Sequence, residues 1–289
     1  MSGDTAFEDI NEVKADMDHI YNQSDPRAYF HELNKLDYAI PDTAKPIFQK
    51  LIGHLQQRQN DTVHVLDLGC SYGINAAILK HDLSMDELYE HWGQKKMTDA
   101  TSEEVVAYGQ QFFADIGDPE DIEVIGLDQA ENAITFGVES GLLDEGLAVN
   151  LETESLSAMA KEKLAPVDLV TSTGCVGYLT EKSFDRLLPA ASEGHQPWIA
   201  NFVLRLFPFD AIAKSLDKWG YVTEKLEDQT FFQREFASDD EQDQVLEQLR
   251  DRGVDSSGME AKGHFLAEFY LSRPTKDAAD VPIERLLQA

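Results

Sequence analysis

Residues 63–80 constrain this chain more than any other stretch. Val63-His64-Val65-Leu66-Asp67-Leu68 is a short, mostly apolar run, the pattern of a strand buried on both faces of a parallel sheet. It leads through Asp67-Leu68-Gly69-Cys70-Ser71-Tyr72-Gly73 directly into a helical segment, residues 74–80. A buried strand, a glycine-bearing turn and a helix are the first half of a βαβ unit, so an α/β architecture is expected. Gly69 lets the chain turn sharply without a Cβ clash, and Gly73 is expected to permit close approach of a ligand to the helix backbone. The helix N-terminus offers free N–H groups to a polar ligand. Two glycines four apart also make an ordinary tight turn, so the loop alone does not choose a ligand.

The rest of the chain repeats the alternation. Residues 122–128, 147–151, 167–172 and 197–204 read as further strands, with helices at 130–140, 183–191 and 209–219. The tail holds strand-like runs at 221–226, 230–236 and 265–271 around a helix at 239–252, and its phenylalanines suggest a closing hairpin. This order predicts a mainly parallel sheet. Ahead of it, residues 1–60 read as a helical cap or lid. Segment 9–21 is an acidic amphipathic helix, Ser24-Asp25-Pro26 opens a second helix with Pro26 at its first position, and a third begins near Asp42 or Thr43 with Pro46 in its first turn. Residues 56–61 read as a linker to the sheet domain, 61–289. Between the first two strands, residues from about 81 to 121 are too long for a simple connection and form an insertion with helices of its own. Ser84-Met85-Asp86-Glu87 is a capping box, and 102–116 is a second helix there. The insertion is expected to cover the site or to provide a homodimer contact.

Composition narrows the function. Acidic residues outnumber basic ones 54 to 24, a formal net charge of −30, with no basic stripe. Nucleic-acid binding depends on clustered Lys and Arg, so no nucleic-acid partner is expected. Solvating acids with little lysine are also the habit of salt-adapted proteins. No apolar run approaches the roughly 20 residues that span a bilayer, and residues 1–17 lack the apolar core of a secretory leader. A cytoplasmic protein without a membrane partner is expected. Cys70 and Cys175 make no disulfide framework, and the eight histidines form neither HExxH nor HxH, so no metal is expected.

Asp128 ends the second strand, where an acid can accept both ribose hydroxyls of an adenosine. An aspartate there is also a common helix cap. Together with the glycine loop, however, it completes a pattern. Leu66-Asp67-Leu68-Gly69-Cys70-Ser71-Tyr72-Gly73 resembles motif I of class I S-adenosylmethionine-dependent methyltransferases, Gly126-Leu127-Asp128 resembles their ribose-binding motif, and Val167-Asp168-Leu169-Val170-Thr171-Ser172 resembles the strand of their motif IV. The likeness spans about two thirds of the chain. It implies a Rossmann-like, seven-stranded sheet sandwiched by helices, with its last strand antiparallel. It also implies S-adenosylmethionine as cofactor, bound by Asp67, Gly69, Cys70, Ser71, Gly73, Asp128 and Gln129, with Glu152 and Thr153 near the adenine and Thr173 after the fourth strand. Ser71 stands where the family often has glycine. A NAD-dependent Rossmann oxidoreductase is the rival, though Asp67-Leu68-Gly69-Cys70 fits GxGxxG less well.

The acceptor is read from other residues. Methyl transfer is an in-line displacement at a sulfonium carbon, so the protein chiefly positions the nucleophile and excludes water. Oxygen or protonated nitrogen acceptors also need a base, whereas a thioether does not. Tyr178, in Thr173-Gly174-Cys175-Val176-Gly177-Tyr178, is expected to line the acceptor pocket as a catalytic or substrate-binding residue. Tyr21, a second candidate catalytic residue, and Tyr29 belong to a Tyr-rich segment. That segment can close as a lid and cradle a sulfonium through ring faces and hydroxyls, or pack as the core of the helical cap. Arg205 can pair a substrate carboxylate through its planar fork, or form an ordinary ion pair. A small-molecule acceptor is expected, such as an amino acid or related zwitterion, with S-methylation of a methionine-like thioether as the specific form. An O- or N-methyltransferase, and a non-catalytic S-adenosylmethionine-binding protein, are the alternatives.

Overall fold

The computed structural model describes residues 11, 13–15, 17–117 and 121–288. The apolar runs form strands β1 (Val63–Leu68), β2 (Ile122–Asp128), β3 (Glu145–Ala148), β4 (Leu169–Thr173) and β5 (Trp198–Leu204), all mutually parallel where they pair. Every residue of β5 is buried, as a strand covered on both faces requires. The tail adds β6 (Tyr221–Lys225), β7 (Phe231–Glu235) and β8 (His264–Pro274). The sheet order is β3-β2-β1-β4-β5-β8-β6, a seven-stranded path with β8 antiparallel to its neighbours. An eighth strand, β7, pairs with the opening residues of β8, while β6 pairs with its end. The expected closing hairpin is therefore replaced by one long strand that serves both β6 and β7. Eleven residues give β8 the reach for this.

The helices ahead of β1 are α1 (Asp18–Tyr21), α2 (Arg27–Asn34) and α3 (Ile40–Gln59). Of the helix expected over 9–21, Asp9, Ile10, Glu12 and Asp16 lie outside the described residues, and 13–15 are not helical. Pro26 takes the cap position of α2, and Asp25 Oδ1 accepts the Arg27 N–H at 3.2 Å. Helix α3 starts earlier and ends later than its sequence suggests. Pro41 occupies the first turn, Pro46 sits inside, and the anticipated linker forms the last turn, because Asn60 adopts a left-handed conformation (φ +53) that terminates it.

Helix α4 (Ile74–Lys80) leads into the insertion, which contains α5 (Met85–Trp92), α6 (Lys95–Thr98) and α7 (Ser102–Ile116). Both Ser84–Glu87 and Thr101–Glu104 form capping boxes. These helices buttress the N-terminal ones. Phe30 stacks on Trp92 at 5.9 Å, Arg27 donates to the carbonyls of Met97 and Ala100, and Ser102 donates to Asp25.

The chain continues with α8 (Glu131–Glu139), α9 (Ala158–Leu164), α10 (Glu181–Ala191), α11 (Asp210–Asp217), α12 (Asp239–Asp251), α13 (Thr275–Asp280) and α14 (Ile283–Gln288). Short α9, α13 and α14 escape the periodicity argument, which needs longer windows. Strand β3 ends three residues early because Asn150 Oδ1 accepts the Glu152 N–H at 3.0 Å and bends the chain away. Apolar side chains of α2 and α3 join one sheet face in a common core, and α9 to α11 cover the other. Among the described residues no helix is long and apolar enough to cross a membrane, and no cluster of metal-ligating side chains occurs.

Candidate cofactor and acceptor site

From β1 the sheet extends to β2 and β3 on one side and to β4 and β5 on the other. The carboxyl ends of β1 and β4 therefore flank the crevice in which open α/β sheets bind ligands. Gly69 (φ +73), Ser71 (φ +49) and Gly73 (φ +87) all take left-handed conformations there. A Cβ on Gly69 would lie 2.5 Å from the Cβ of Cys175, so this glycine lets the loops after β1 and β4 touch. Gly73 differs from its expected role. Its missing Cβ faces Leu142 and Leu143, so it serves the turn and helix packing rather than ligand approach. Ser71 holds a backbone conformation that favours glycine, at the position where the resembled motif often has one. The Cys70 side chain turns beneath the loop, with Sγ 2.8 Å from where a Cβ of Gly126 would be, so its thiol belongs to the core.

Asp67 is the centre of the site. It is 1% exposed; its Oδ1 accepts from Asn75 Nδ2 at 2.9 Å and from Thr171 Oγ1 at 3.3 Å. Its Oδ2 is buried without a partner. Burial, aided by the charge of Asp128 and opposed by the Asn75 and Thr171 hydrogen bonds, pushes its carboxyl up to about 7. Asn75 also donates to Thr173 Oγ1 at 3.1 Å, linking the end of β4 to Asp67 through α4. Sequence reasoning missed Asn75, whose signal is its position one residue inside the helix that follows the glycine loop.

Asp128 spans the loop. Its Oδ2 accepts the Ser71 N–H at 2.9 Å, and its Oδ1 accepts the Ala130 N–H at 3.0 Å. Both the helix-cap reading and the ligand reading of this residue are thus compatible, since each oxygen keeps a second lone pair. Gln129 is exposed beside it and accepts from Asn150 Nδ2 at 2.9 Å. Glu152 is bonded within the protein. Its carboxylate takes the Thr180 N–H and hydroxyl and the Ser183 hydroxyl, closing the first turn of α10. Thr153 is an exposed turn residue whose N–H bonds to Asn150 O.

A tyrosine cluster stands over the loop. Tyr72 Oη accepts the Gln23 N–H at 2.8 Å and lies 3.1 Å from Ile20 O. Tyr29 is packed edge-to-face against Tyr21, Phe30, Tyr38 and Tyr72, with centroids 5.3–6.2 Å apart. Enclosed by rings and 2% exposed, it holds the cluster together. Burial, reinforced by Tyr38 and Tyr178, drives the Tyr21 phenol far above its usual range. Burial likewise pushes Tyr38 up to about 12, with Asp67, Arg234 and Cys175 among the charges and dipoles acting on it. These phenols stay protonated at neutral pH, which suits hydrogen bonding and ring contacts rather than proton abstraction. Tyr38 carries no sequence signal beyond lying between two helices.

Tyr178 is at the rim, 51% exposed, with Lys14 Nζ 4.1 Å above its ring. Arg205 lies elsewhere than expected. Its guanidinium is buried against Glu260 Oε2 at 2.6 Å and Asp255 O at 2.7 Å, with Glu268 3.6 Å away. This is the ordinary ion pair that is the other reading of this residue.

The sheet has the strand order of the Rossmann-like methyltransferase fold. No family model matches the chain, and no curated protein matches its sequence. Solved structures of similar chain path include the plantazolicin methyltransferase BpumL with a pentazolic desmethylPZN analogue and SAH, at 14% identity and a TM-score of 0.44, covering 92% of this chain and 99% of that one. A TehB-like SAM-dependent methyltransferase from Corynebacterium glutamicum is similar at 13% identity and a TM-score of 0.37, covering 77% and 85%. The [4+2]-cyclase SpnF is similar at 12% identity and a TM-score of 0.39, covering 78% and 80%.

Proposed function

We propose that this protein is an S-adenosylmethionine-dependent methyltransferase acting on a small molecule. The observation that carries the reading is Asp67, a buried carboxylate held by Asn75 and Thr171 with one oxygen left unpaired at the mouth of a left-handed glycine loop. A buried acceptor without a partner destabilises the free protein unless a ligand satisfies it. A ligand ammonium, such as that of the methionine portion of the cofactor, supplies the missing donors. In this reading Asp128 takes the ribose hydroxyls, with Gln129 and Asn150 beside it. Thr173 and Asn75 fix the end of β4 against Asp67. When bound, the cofactor brings a methyl group already attached to a sulfonium leaving group. The chain's part is to orient the acceptor and keep water out, and the tyrosine cluster over the loop does both.

The small-molecule acceptor follows from the helical cover over the site and from the acidic surface. With Arg205 held in its ion pairs, a zwitterionic acceptor loses the residue that recommended it, and methionine S-methylation keeps only the argument that a thioether needs no base. Titration calorimetry with S-adenosylmethionine and S-adenosylhomocysteine tests the cofactor reading. Binding of both is expected, and binding of neither removes it. NAD binding without either would establish the oxidoreductase reading instead.

A further inference from the structure

Strand β7 contains an irregularity that the methyltransferase reading alone does not use. Phe232 pairs with Leu266 and Arg234 with Phe265, so Gln233 is an extra residue outside the ladder. Such bulges sacrifice a ladder position and re-aim a side chain, and they recur beside active sites. Here the side chain is 8% exposed and points at the loop after β4. A Cβ on Gly174 would lie 2.5 Å from Gln233 Nε2. Gly174 follows Thr173, which is bonded to Asn75 and through it to Asp67. The amide thus reaches the loop after β4 from β7. Its Oε1 is buried with no partner. The backbone is firmly placed, since Gln233 O accepts the Ala39 N–H at 2.8 Å, next to Tyr38.

We propose that Gln233, together with Tyr21 and Tyr38, forms the acceptor subsite, and that its unpaired amide oxygen receives an N–H or O–H of the molecule to be methylated. This rests on the methyltransferase reading. The neighbouring Arg234 does not recruit an anionic acceptor instead, because Glu241 takes its guanidinium at 2.6 and 2.9 Å. The subsite therefore presents a neutral hydrogen-bond acceptor beside two protonated phenols. It selects a small, donor-bearing acceptor, a neutral amine, over a carboxylate or a hydrocarbon. The amine lone pair takes the methyl as the carbon–sulfur bond breaks, S-adenosylhomocysteine leaves with that bond's electron pair, and the new ammonium gives its proton to water. A purely structural glutamine this buried would bond its amide to the protein, and this one leaves its Oε1 buried without a partner.

Cofactor-anchored probes test this without knowledge of the natural acceptor. S-adenosylhomocysteine is compared with two analogues in which nitrogen replaces sulfur and carries either a 2-hydroxyethyl or an n-propyl arm in place of the methyl. The hydroxyethyl arm is expected to bind about tenfold tighter than the propyl arm, the scale of one satisfied buried hydrogen bond. In Gln233→Leu and in the closer isostere Gln233→Met the ratio should fall to near one. S-adenosylhomocysteine affinity and the melting midpoint should stay close to wild type in at least one of the two. Equal binding of both arms to the wild type overturns the proposal, as does a ratio that survives either substitution. Preference for a 2-oxopropyl arm, which only accepts hydrogen bonds, does so too. Failure of S-adenosylhomocysteine itself to bind is a separate result: it removes the methyltransferase reading and this subsite with it.

Discussion

Tyr72 Oη accepts the backbone N–H of Gln23 at 2.8 Å, which fastens the glycine loop to the segment joining α1 and α2. The same hydroxyl lies 3.1 Å from the carbonyls of Ile20 and Gln23, so it can donate as well as accept. Asn22 adds a second tie, accepting the Asn132 N–H at 2.9 Å at the start of α8. Tyr72→Phe keeps the ring contacts and removes only the hydroxyl. Stability should fall by about 1 kcal/mol, and amide exchange at residues 20–23 should quicken. The dissociation of S-adenosylhomocysteine should speed up with it. Unchanged exchange in the variant would show that the tie does not hold the cover in place.

Asp67 should make the free protein and its ligand respond oppositely to pH. Its folded pKa of about 7 stands above the usual 3.8, so the native state keeps a proton that the unfolded state releases. Stability therefore falls as pH rises from about 4 to 7, and the penalty is fully present above that. A ligand ammonium prefers the ionised carboxylate, so S-adenosylmethionine affinity should rise between pH 6 and about 7.5. Above that, loss of the ligand's own amino proton opposes the gain. Asp67→Asn retains an oxygen for Asn75 and carries no charge. It should be more stable than wild type at pH 8 by a few kcal/mol and should lose cofactor affinity and its pH dependence. A less stable variant at pH 8 would contradict the raised pKa.

These two residues also show how far the sequence could be read. Asp67 and Asp128 are legible because strand ends and glycine turns are local patterns, and local patterns survive without knowledge of the fold. The parallel sheet is legible for the same reason. Tyr38 and Gln233 are not: they reach the site from a helix connection and from a strand far along the chain, brought together by the Ala39–Gln233 backbone hydrogen bond. Arg205 and Glu152 have protein partners that local patterns do not show. Each residue type suits a ligand, but buried charges take the nearest partner, and only three dimensions reveal that Glu260 and Thr180 are nearer.

Ser71 adopts φ +49, and its Oγ is buried without a partner. Ser71→Gly relieves both the left-handed strain and the unsatisfied hydroxyl, against the extra chain entropy that glycine loses on folding. The balance favours the variant by about 1 kcal/mol, measurable by denaturant melting. Cofactor binding should be retained, because Asp128 bonds the backbone N–H at this position and not the side chain. Loss of binding in the glycine variant would instead assign the Ser71 hydroxyl to the ligand.

Arg205→Ala should be destabilising and leave the cofactor site intact. It strands Glu260, 1% exposed, without its 2.6 Å partner, and a buried charge left alone costs about 3–5 kcal/mol. Glu260→Gln should cost less in combination with Arg205→Met than the two single changes added together, since the pair is removed as a unit. S-adenosylhomocysteine affinity should be unchanged wherever the variant is folded. A variant of wild-type stability whose acceptor KM rises would return Arg205 to substrate binding.

The net charge of −30 makes stability a function of salt. Acidic groups are held closer together in the folded chain than in the unfolded one, so their mutual repulsion opposes folding. Some of it is relieved by local pairs such as Lys35 with Glu32 and Arg250 with Glu247, but exposed pairs contribute about 0–1 kcal/mol each, and basic residues are outnumbered 54 to 24. Raising NaCl from 0.1 to 1 M shortens the screening length from about 10 to about 3 Å, which weakens the long-range repulsion more than contacts within 3 Å. The melting midpoint should therefore climb with salt, most steeply at the low end where screening and not water structure dominates. NaCl and KCl should act alike if screening is the cause. A midpoint that falls between 0.05 and 0.5 M would mean that short-range pairs outweigh the excess of acid.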